Sequence, residues 1–163
     1  MNSFADTLAA INAMKTEGVI DEYAVAGAMA QMFWAEPIAT LDLDVLVFLP
    51  PTAGALVSLE PIYAWAARHG YATAAEHIVV ESVPTQFLPS PNALSDEAIR
   101  SAATLDYGGV PVRVVRPEHL LALCLDPAAK TARRRERAAA LLELPRLDRE
   151  LVDDILKRHG LTL

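Results

Sequence analysis

The spacing of apolar and polar positions alternates between helical and extended patterns along the first part of the chain. Apolar residues recur every three or four positions over residues 3–15, which predicts a helix. The short apolar run at 23–26 and the longer run LDLDVLVF at 41–48 have the length and composition of strands. Between them, Gly27 precedes an Ala- and Met-rich segment, 28–35, that predicts a short helix. Strand, glycine turn, helix and strand therefore follow one another.

Further along, the pattern continues to alternate and then becomes entirely helical. The predicted elements are helices at 59–69, 94–103 and 118–125, a hairpin or bulged extended segment at 77–88, a strand at 110–115, and closing helices at 131–144 and 148–159. We therefore predict an α/β (α+β) fold in which a mixed β-sheet has flanking helices and a helical C-terminal part. Residues 1–116 are expected to form the core, and residues 117–163 to pack on it as part of a single compact domain.

Asp42 and Asp44 are the charged residues of the otherwise apolar strand at 41–48. Because strand side chains alternate between faces, both carboxylates are expected to project to the same side, about 7 Å apart. Two like charges on one face repel and must be desolvated, and a cation between them offsets both costs. The pair is therefore a candidate site for a divalent metal. The alternative is an exposed strand start whose acids face water.

Gly27 marks the predicted turn from strand to helix. Glycine there lets the backbone approach a phosphate closely, and the N–H groups of Gly27 and Ala28 at a helix start would point at it. A simple turn glycine is the alternative interpretation. Thr40 precedes Asp42 by two positions, so its hydroxyl is expected on the same strand face, where it can hydrogen-bond a carboxylate or phosphate. It is equally compatible with an ordinary β-branched strand residue.

The order of these residues resembles the signature of the nucleotidyltransferase superfamily, which is a glycine followed by a small residue and then Asp-x-Asp on a strand. A narrower resemblance is to the small bacterial nucleotidyltransferases grouped with the AbiEii-type toxins, whose pattern runs roughly GGxA and then RxTxDxD. This chain reads GAMA from residue 27 and IATLDLD up to residue 44. The stretches VESVPTQFLPSP, GVPVRVVRPEHLLALCL and LDRELVDDILKRHGL extend the resemblance over most of the chain.

The resemblance implies a nucleotidyltransferase fold and the transfer of a nucleoside monophosphate from an NTP to an acceptor. In such a site Asp42 and Asp44 would hold Mg²⁺ or Mn²⁺ against the triphosphate, and Gly27 and Ala28 would contact its terminal phosphates. The AbiEii-type resemblance further implies tRNA or a protein as acceptor, a role in a toxin–antitoxin or phage-defence system, and a cognate antitoxin as partner.

Three positions depart from the related pattern. Ile38 stands where that pattern has arginine, Gln86 where a third carboxylate is expected, and Cys124 where a lysine is usual. These departures favour an alternative function, a catalytically inactive protein of the same fold that binds a nucleotide or a protein partner. Glu81 is the nearest substitute for the missing acid.

The missing positive charge has candidate sources in the C-terminal part. Lys130 and the arginine-rich run at 133–137 can supply cations to a triphosphate or to RNA. Consecutive residues point in different directions around a helix, so the alternative for the run is a solvated helical face.

Composition narrows the protein class. The chain has 163 residues and a hydrophobic fraction of 53%, which fits one domain with a sizeable core. The formal net charge of −7 argues against a general nucleic-acid-binding surface, although a local basic patch can still engage RNA. Cys124 is the single cysteine, which excludes an intramolecular disulfide and a cysteine-based zinc site. The sequence shows neither a signal-peptide pattern nor an apolar run near the roughly 20 residues of a membrane helix, so we expect a cytoplasmic protein without a membrane partner.

Overall fold

The computed structural model describes residues 3–35, 42–51, 56–127 and 131–163. Within these ranges the helices are α1 (Ser3–Thr16), α2 (Gly27–Gln31), α3 (Glu60–Arg68), α4 (Ala93–Arg100), α5 (Pro117–Leu125), α6 (Ala132–Leu142) and α7 (Arg149–Arg158). The strands are β1 (Glu22–Ala26), β2 (Leu43–Phe48), β3 (Ala72–Ala74), β4 (His77–Val80), β5 (Val83–Pro89), β6 (Ala103–Tyr107) and β7 (Val110–Val114).

The strands form one mixed sheet in the order β3-β4-β5-β2-β1-β7-β6. β2 is the middle strand, antiparallel to β1 and parallel to β5. Leu43, Val45 and Val47 of β2 are buried, and so is Leu46, whose side chain projects to the other face. A strand that is apolar on both faces is stable only when both are covered, which explains why the LDLDVLVF run occupies the centre of the sheet.

The helices cover the sheet and also pack against one another. α4 contacts β1 and β2, while α5 packs against α4, α6 and α7. The short helix α2 contacts both α5 and α6, so the C-terminal helices reach the turn that follows β1. Among the described residues, no helix is long and apolar enough to cross a membrane.

Two strands lie where the sequence did not predict them. β3 is a short, exposed edge strand, and β6 begins at Ala103, where the sequence pattern predicted that a helix would continue. α4 instead ends at Arg100, and β6 forms an antiparallel hairpin with β7 through Gly108 and Gly109. Edge strands are stabilised mainly by pairing with a neighbour, so their own apolar pattern is weak. The predicted mixed α/β architecture itself is confirmed.

Glu97 links three of the helices through its carboxylate. Its Oε1 accepts a hydrogen bond from Nη2 of Arg158 at 2.8 Å in α7. Nε2 of His119 in α5 lies 3.0 Å from the same carboxylate, and Nε2 of His159 lies 2.8 Å from it. The hydrogen bonds from Arg158, helped by those of the two histidines, hold the pKa of Glu97 well below its usual range. An ionised carboxylate therefore joins α4 to α5 and α7.

Glu97→Gln is expected to lower the free energy of unfolding by about 2 kcal/mol at pH 7, because it removes the charge from a carboxylate that accepts several hydrogen bonds. A lowered pKa in the folded state stabilises the protein above the ordinary value of 4.5, and this contribution is lost as the pH falls further. Urea denaturation should therefore show a smaller difference between wild type and variant at pH 3 than at pH 7.

The control is Glu136→Gln, which removes the same charge from an exposed position in α6. It should change the free energy of unfolding by no more than about 0.5 kcal/mol. Equal losses in the two variants would show that the Glu97 network does not hold the helices together.

Candidate active site

Gly27 and Asp44 are in direct contact at the junction of β1 and α2. Asp44 pairs with Ala26 across the antiparallel ladder of β2 and β1, so its side chain lies beside the next residue, Gly27. A Cβ at position 27 would come within 2.6 Å of Oδ2 of Asp44. Gly27 also has φ +62°, a left-handed conformation that L side chains disfavour. Both the backbone angle and the closeness of the carboxylate therefore require glycine here.

Asp42 and Asp44 form an electrostatically coupled pair at the start of β2. Asp44 is partly buried, whereas the Asp42 side chain is 52% exposed and has Oδ2 3.6 Å from Nε2 of His77. Burial is the largest influence on Asp44 and raises its pKa; the charge of Asp42 raises it further, and Arg137, His77 and Arg134 oppose the shift. Carboxylate oxygens are the ligands that Mg²⁺ prefers, and it commonly binds one or two carboxylates together with substrate phosphates. The pair therefore supplies the type of donor atom that such an ion prefers.

Asp44 faces a cavity of about 460 Å³, which lies between the sheet and the helices α4, α5 and α6. This volume is in the range of small-molecule sites. Most of the wall is apolar, with leucines from β2, β5, α5 and α6, Pro89 at the end of β5 and Pro91 after it. The polar lining is formed by Gly27, Gln31, Asp44, Asn92, Ser95, Asp126, Arg134 and Arg137. One carboxylate of the pair therefore borders an enclosed space that is large enough for a nucleotide-sized ligand.

The arginine-rich run divides between the cavity and solvent. Arg134 and Arg137 line the cavity, while Arg133 and Arg135 are exposed. Residues three apart share one face of a helix, which explains the division. Nη1 of Arg134 donates a hydrogen bond to the carbonyl of Leu123 at 2.9 Å, which fixes its position against α5. The solvated face therefore holds for Arg133 and Arg135, while a role of Arg134 and Arg137 in binding phosphate stays a prediction.

Cys124 lines the same cavity from α5. Burial raises the pKa of its thiol, and the positive charges of Arg137 and Arg134 act against that rise. The thiol is therefore a buried, neutral group rather than a thiolate nucleophile. Cys124 occupies the position where the related pattern has a lysine, and the arginines of the next helix bring positive charge to that place.

Three solved structures resemble this chain over nearly its whole length. They are the solution structure of the antibiotic-resistance factor ANT(2'')-Ia (TM-score 0.53, 15% identity, 97% of this chain and 91% of that one), ANT(2'')-Ia in complex with adenylyl-2''-tobramycin (0.52, 14%, 97% and 99%), and an antigenic nucleotidyltransferase-like protein from Paracoccidioides brasiliensis (0.54, 13%, 96% and 86%). This chain has the nucleotidyltransferase fold. No protein-family model and no curated protein matches its sequence.

Within this nucleotidyltransferase fold, Gln86 lies beside Asp44. The two residues are register partners on the parallel strands β5 and β2, and their side chains therefore share a face of the sheet. A glutamine supplies only a neutral oxygen to a metal and cannot act as a general base. Glu81 is exposed in the turn between β4 and β5, where it accepts a hydrogen bond from the Tyr71 hydroxyl at 2.8 Å, and it does not line the cavity. In the described ranges no group of three or more His, Cys, Asp or Glu side chains is arranged to hold a metal.

The remaining predicted site residues have different outcomes. Ala28 is the second residue of α2 and is not part of the cavity wall. Thr40, Lys130 and Ile38 lie outside the described residues, so their predicted roles remain predictions.

Gln31 is a cavity residue that the sequence analysis did not single out. It is 1% exposed at the end of α2, and neither polar atom of its side chain has a hydrogen-bond partner among the described residues. A signal was present in the sequence, because Gln31 is the polar residue of an Ala- and Met-rich helix and follows Gly27 by four positions. Residues four apart lie on the same face of a helix.

Gly27→Ala is expected to lower the free energy of unfolding by more than 2 kcal/mol. The left-handed backbone alone costs a non-glycine residue about 1–2 kcal/mol, and the new Cβ would also collide with Oδ2 of Asp44. Chemical denaturation measures the total loss.

Gly160→Ala is the matched control, because Gly160 has φ +65° and nothing lies within 4 Å of a Cβ built there. It should lower the free energy of unfolding only by the part that comes from the backbone angle. In a protein that already carries Asp44→Ala, Gly27→Ala should lower the free energy of unfolding by less than it does in wild type, because the colliding oxygen is absent. Equal losses at positions 27 and 160 would contradict the close packing of Gly27 on Asp44.

Asp44→Asn is expected to raise the Tm at pH 7 in the presence of a metal chelator. The pKa of Asp44 in the folded protein is raised above its ordinary value of 3.8, so the folded state favours the protonated carboxyl. The stabilisation that this gives is fully present below pH 3.8 and is lost as the pH rises through the folded-state pKa. The rise should therefore be nearly absent at pH 3. Thermal denaturation at both pH values measures this, and Asp42→Asn, at the more exposed partner, should give a smaller rise. A lower Tm for Asp44→Asn at pH 7 would show that ionised Asp44 stabilises the fold.

Proposed function

We propose that this protein is a nucleotidyltransferase that moves a nucleoside monophosphate from an NTP to a hydroxyl group of an acceptor. The observation that carries the proposal is the packing of Gly27 against Asp44 at the wall of a cavity that also contains two arginines. The nucleotidyltransferase fold supports the same reaction class. The name ANT(2'')-Ia and the adenylyl product in its complex describe that protein, and here they support only the kind of chemistry.

Asp42 and Asp44 are the residues that would hold Mg²⁺ or Mn²⁺, an ion that would supply charge neutralisation at the phosphates and stabilise the transfer of the nucleotidyl group. Asp44 is suited to this role because a cation removes the cost of an ionised carboxylate in a buried place. Asp42 is the more exposed of the two and does not itself line the cavity.

Arg134 and Arg137 are proposed to bind the triphosphate. Both line the cavity, and the positive charge of each favours negative charge at Asp44. Arginine presents several N–H donors in a planar arrangement that matches phosphate oxygens. In this proposal α6 is part of the nucleotide site. Its two arginines supply the positive charge that a lysine supplies in the related pattern, at the position of Cys124.

The acceptor is proposed to be tRNA or a protein, and the reaction to belong to a toxin–antitoxin or phage-defence system with a cognate antitoxin. This part is supported by the resemblance of GAMA and IATLDLD to the pattern of the AbiEii-type proteins. It goes beyond what the fold supports.

A second candidate function is favoured by Gln86. Its neutral amide lies beside Asp44 where an acid would deprotonate the acceptor hydroxyl, so a protein that binds nucleotide without transferring it is a specific alternative. Binding and transfer therefore need separate experiments.

Calorimetric titration with Mg-NTP should show binding to the wild type and none to Asp44→Ala. Arg137→Gln should weaken NTP binding by about tenfold or more, which corresponds to about 1.4 kcal/mol, because it removes a charged donor to the triphosphate. Arg133→Gln removes the same charge from an exposed position of α6 and should leave the affinity within about twofold. Equal effects of the two arginine variants would contradict the assignment of the cavity as the nucleotide site.

Incubation with α-phosphate-labelled NTPs, Mg²⁺ or Mn²⁺, and either total tRNA or cell protein tests transfer. Label should reach the acceptor with the wild type and should be lost with Asp42→Ala and Asp44→Ala. If the protein binds nucleotide but transfers label under none of these conditions, the second candidate function is established. If it does not bind nucleotide, both candidate functions are overturned.

A further inference from the structure

Gln31 has a buried side chain whose hydrogen bonds are not made within the protein. It is 1% exposed, and both its amide nitrogen and its amide oxygen lack a partner among the described residues. Buried side-chain amides are normally paired, because an unpaired donor or acceptor gives up its bonds to water without replacing them. Both atoms are also closed to water in this structure, so a ligand can pair with them only when the side chain turns toward the cavity.

The position of Gln31 connects it to the candidate active site. It lines the same cavity as Asp44 and lies one helical turn beyond Gly27, on the same face of α2. α2 itself packs against α5 and α6, the helices that form the opposite wall. A ligand bound at Gly27 and Asp44 would therefore extend toward Gln31.

The cavity wall carries two kinds of side chain. Asp44, Arg134 and Arg137 are charged, and leucines such as Leu120, Leu123 and Leu141 are apolar. The charged groups suit a metal and phosphates. The apolar groups, together with a neutral amide, suit a flat, neutral group with hydrogen-bonding atoms along an edge, which is the chemistry of a nucleobase.

The amide group also has the right donor and acceptor set for this ligand. It offers one oxygen acceptor and two N–H donors in a plane, and glutamine pairs in this way with the adjacent donor and acceptor of adenine. A phosphate or metal would be served better by the charged residues nearby. The neutral amide therefore matches the neutral end of an NTP.

We propose that Gln31 binds the hydrogen-bonding edge of the nucleobase and sets the base preference of the site. This inference rests on the proposed function, because it takes an NTP as the ligand of the cavity. Gln31 is then a specificity-determining residue, and the metal and triphosphate are bound without it.

The test is a calorimetric titration of the full chain with Mg²⁺ and each of ATP, GTP, CTP and UTP, and with Mg-tripolyphosphate as a probe that has no base. For the wild type, the tightest NTP should bind at least about tenfold better than the weakest, the discrimination expected for one well-placed pair of hydrogen bonds. In Gln31→Leu this spread should fall to about twofold, because leucine has a similar volume but cannot pair with the base. Tripolyphosphate affinity should stay unchanged.

Two further variants keep the result interpretable. Gln31→Met has the same length without the amide and should behave as Gln31→Leu does, which covers the case in which leucine does not fit. Neither variant should lower the Tm, since each replaces an unpaired amide with an apolar group. Met32→Leu, at the partly exposed next position, should keep the wild-type spread among the NTPs.

The outcomes separate this inference from the proposed function. If wild type binds neither the NTPs nor tripolyphosphate, the proposed function fails and this inference fails with it. If wild type binds them but shows no preference, or if Gln31→Leu and Gln31→Met keep the preference, only the assignment of Gln31 is overturned. If both Gln31 variants lost the binding of tripolyphosphate as well as that of the NTPs, the assignment of Gln31 would also be overturned, because its role would then be structural.

Discussion

The close contact between the backbone of Gly27 and the carboxylate of Asp44 is the constraint on which the candidate site depends. A side chain at position 27 would occupy the space of that carboxylate, so the glycine turn is what allows the middle strand to present an acid to an enclosed cavity. Burial makes the acid costly to ionise, and the charge of Asp42 beside it adds to that cost. A partly buried acid beside a second acid is stabilised by nearby positive charge, whether from the protein or from a cation. In this site, Arg134 and Arg137 are protein groups that provide such positive charge.

The positive charge comes from a distant part of the chain. α6 places Arg134 and Arg137 against the cavity, and the electrostatic influence of both reaches Asp44 and Cys124. This arrangement makes α6 part of the cavity wall, and it brings positive charge to the place where the related pattern carries a lysine and this chain has Cys124. On β5 the register partner of Asp44 is the neutral Gln86 rather than an acid. Position 86 therefore bears most directly on whether the protein would transfer a nucleotide or only bind it.

The fold and the cavity constrain the function at different levels. Solved structures at 13–15% identity establish the nucleotidyltransferase fold and leave the substrate to the residues of this chain. Those residues give the cavity wall charged groups, apolar side chains and the unpaired amide of Gln31. The proposed NTP, with a polyphosphate at one end and a neutral ring at the other, would use both the charged and the neutral groups.

The sequence by itself determined the local elements and the place of the acids. The apolar run of β2 with Asp44 near its start and the Gly27 turn could both be predicted, because they depend on residues close together in the chain. The edge strands β3 and β6, the register that puts Gln86 beside Asp44, and the choice of Arg134 and Arg137 over their neighbours were decided only by the tertiary structure. Strand pairing and helix rotation are set by burial against distant residues, and no local pattern records them. For the same reason the burial of Gln31, which is what makes it informative, could not be predicted from its position in the sequence.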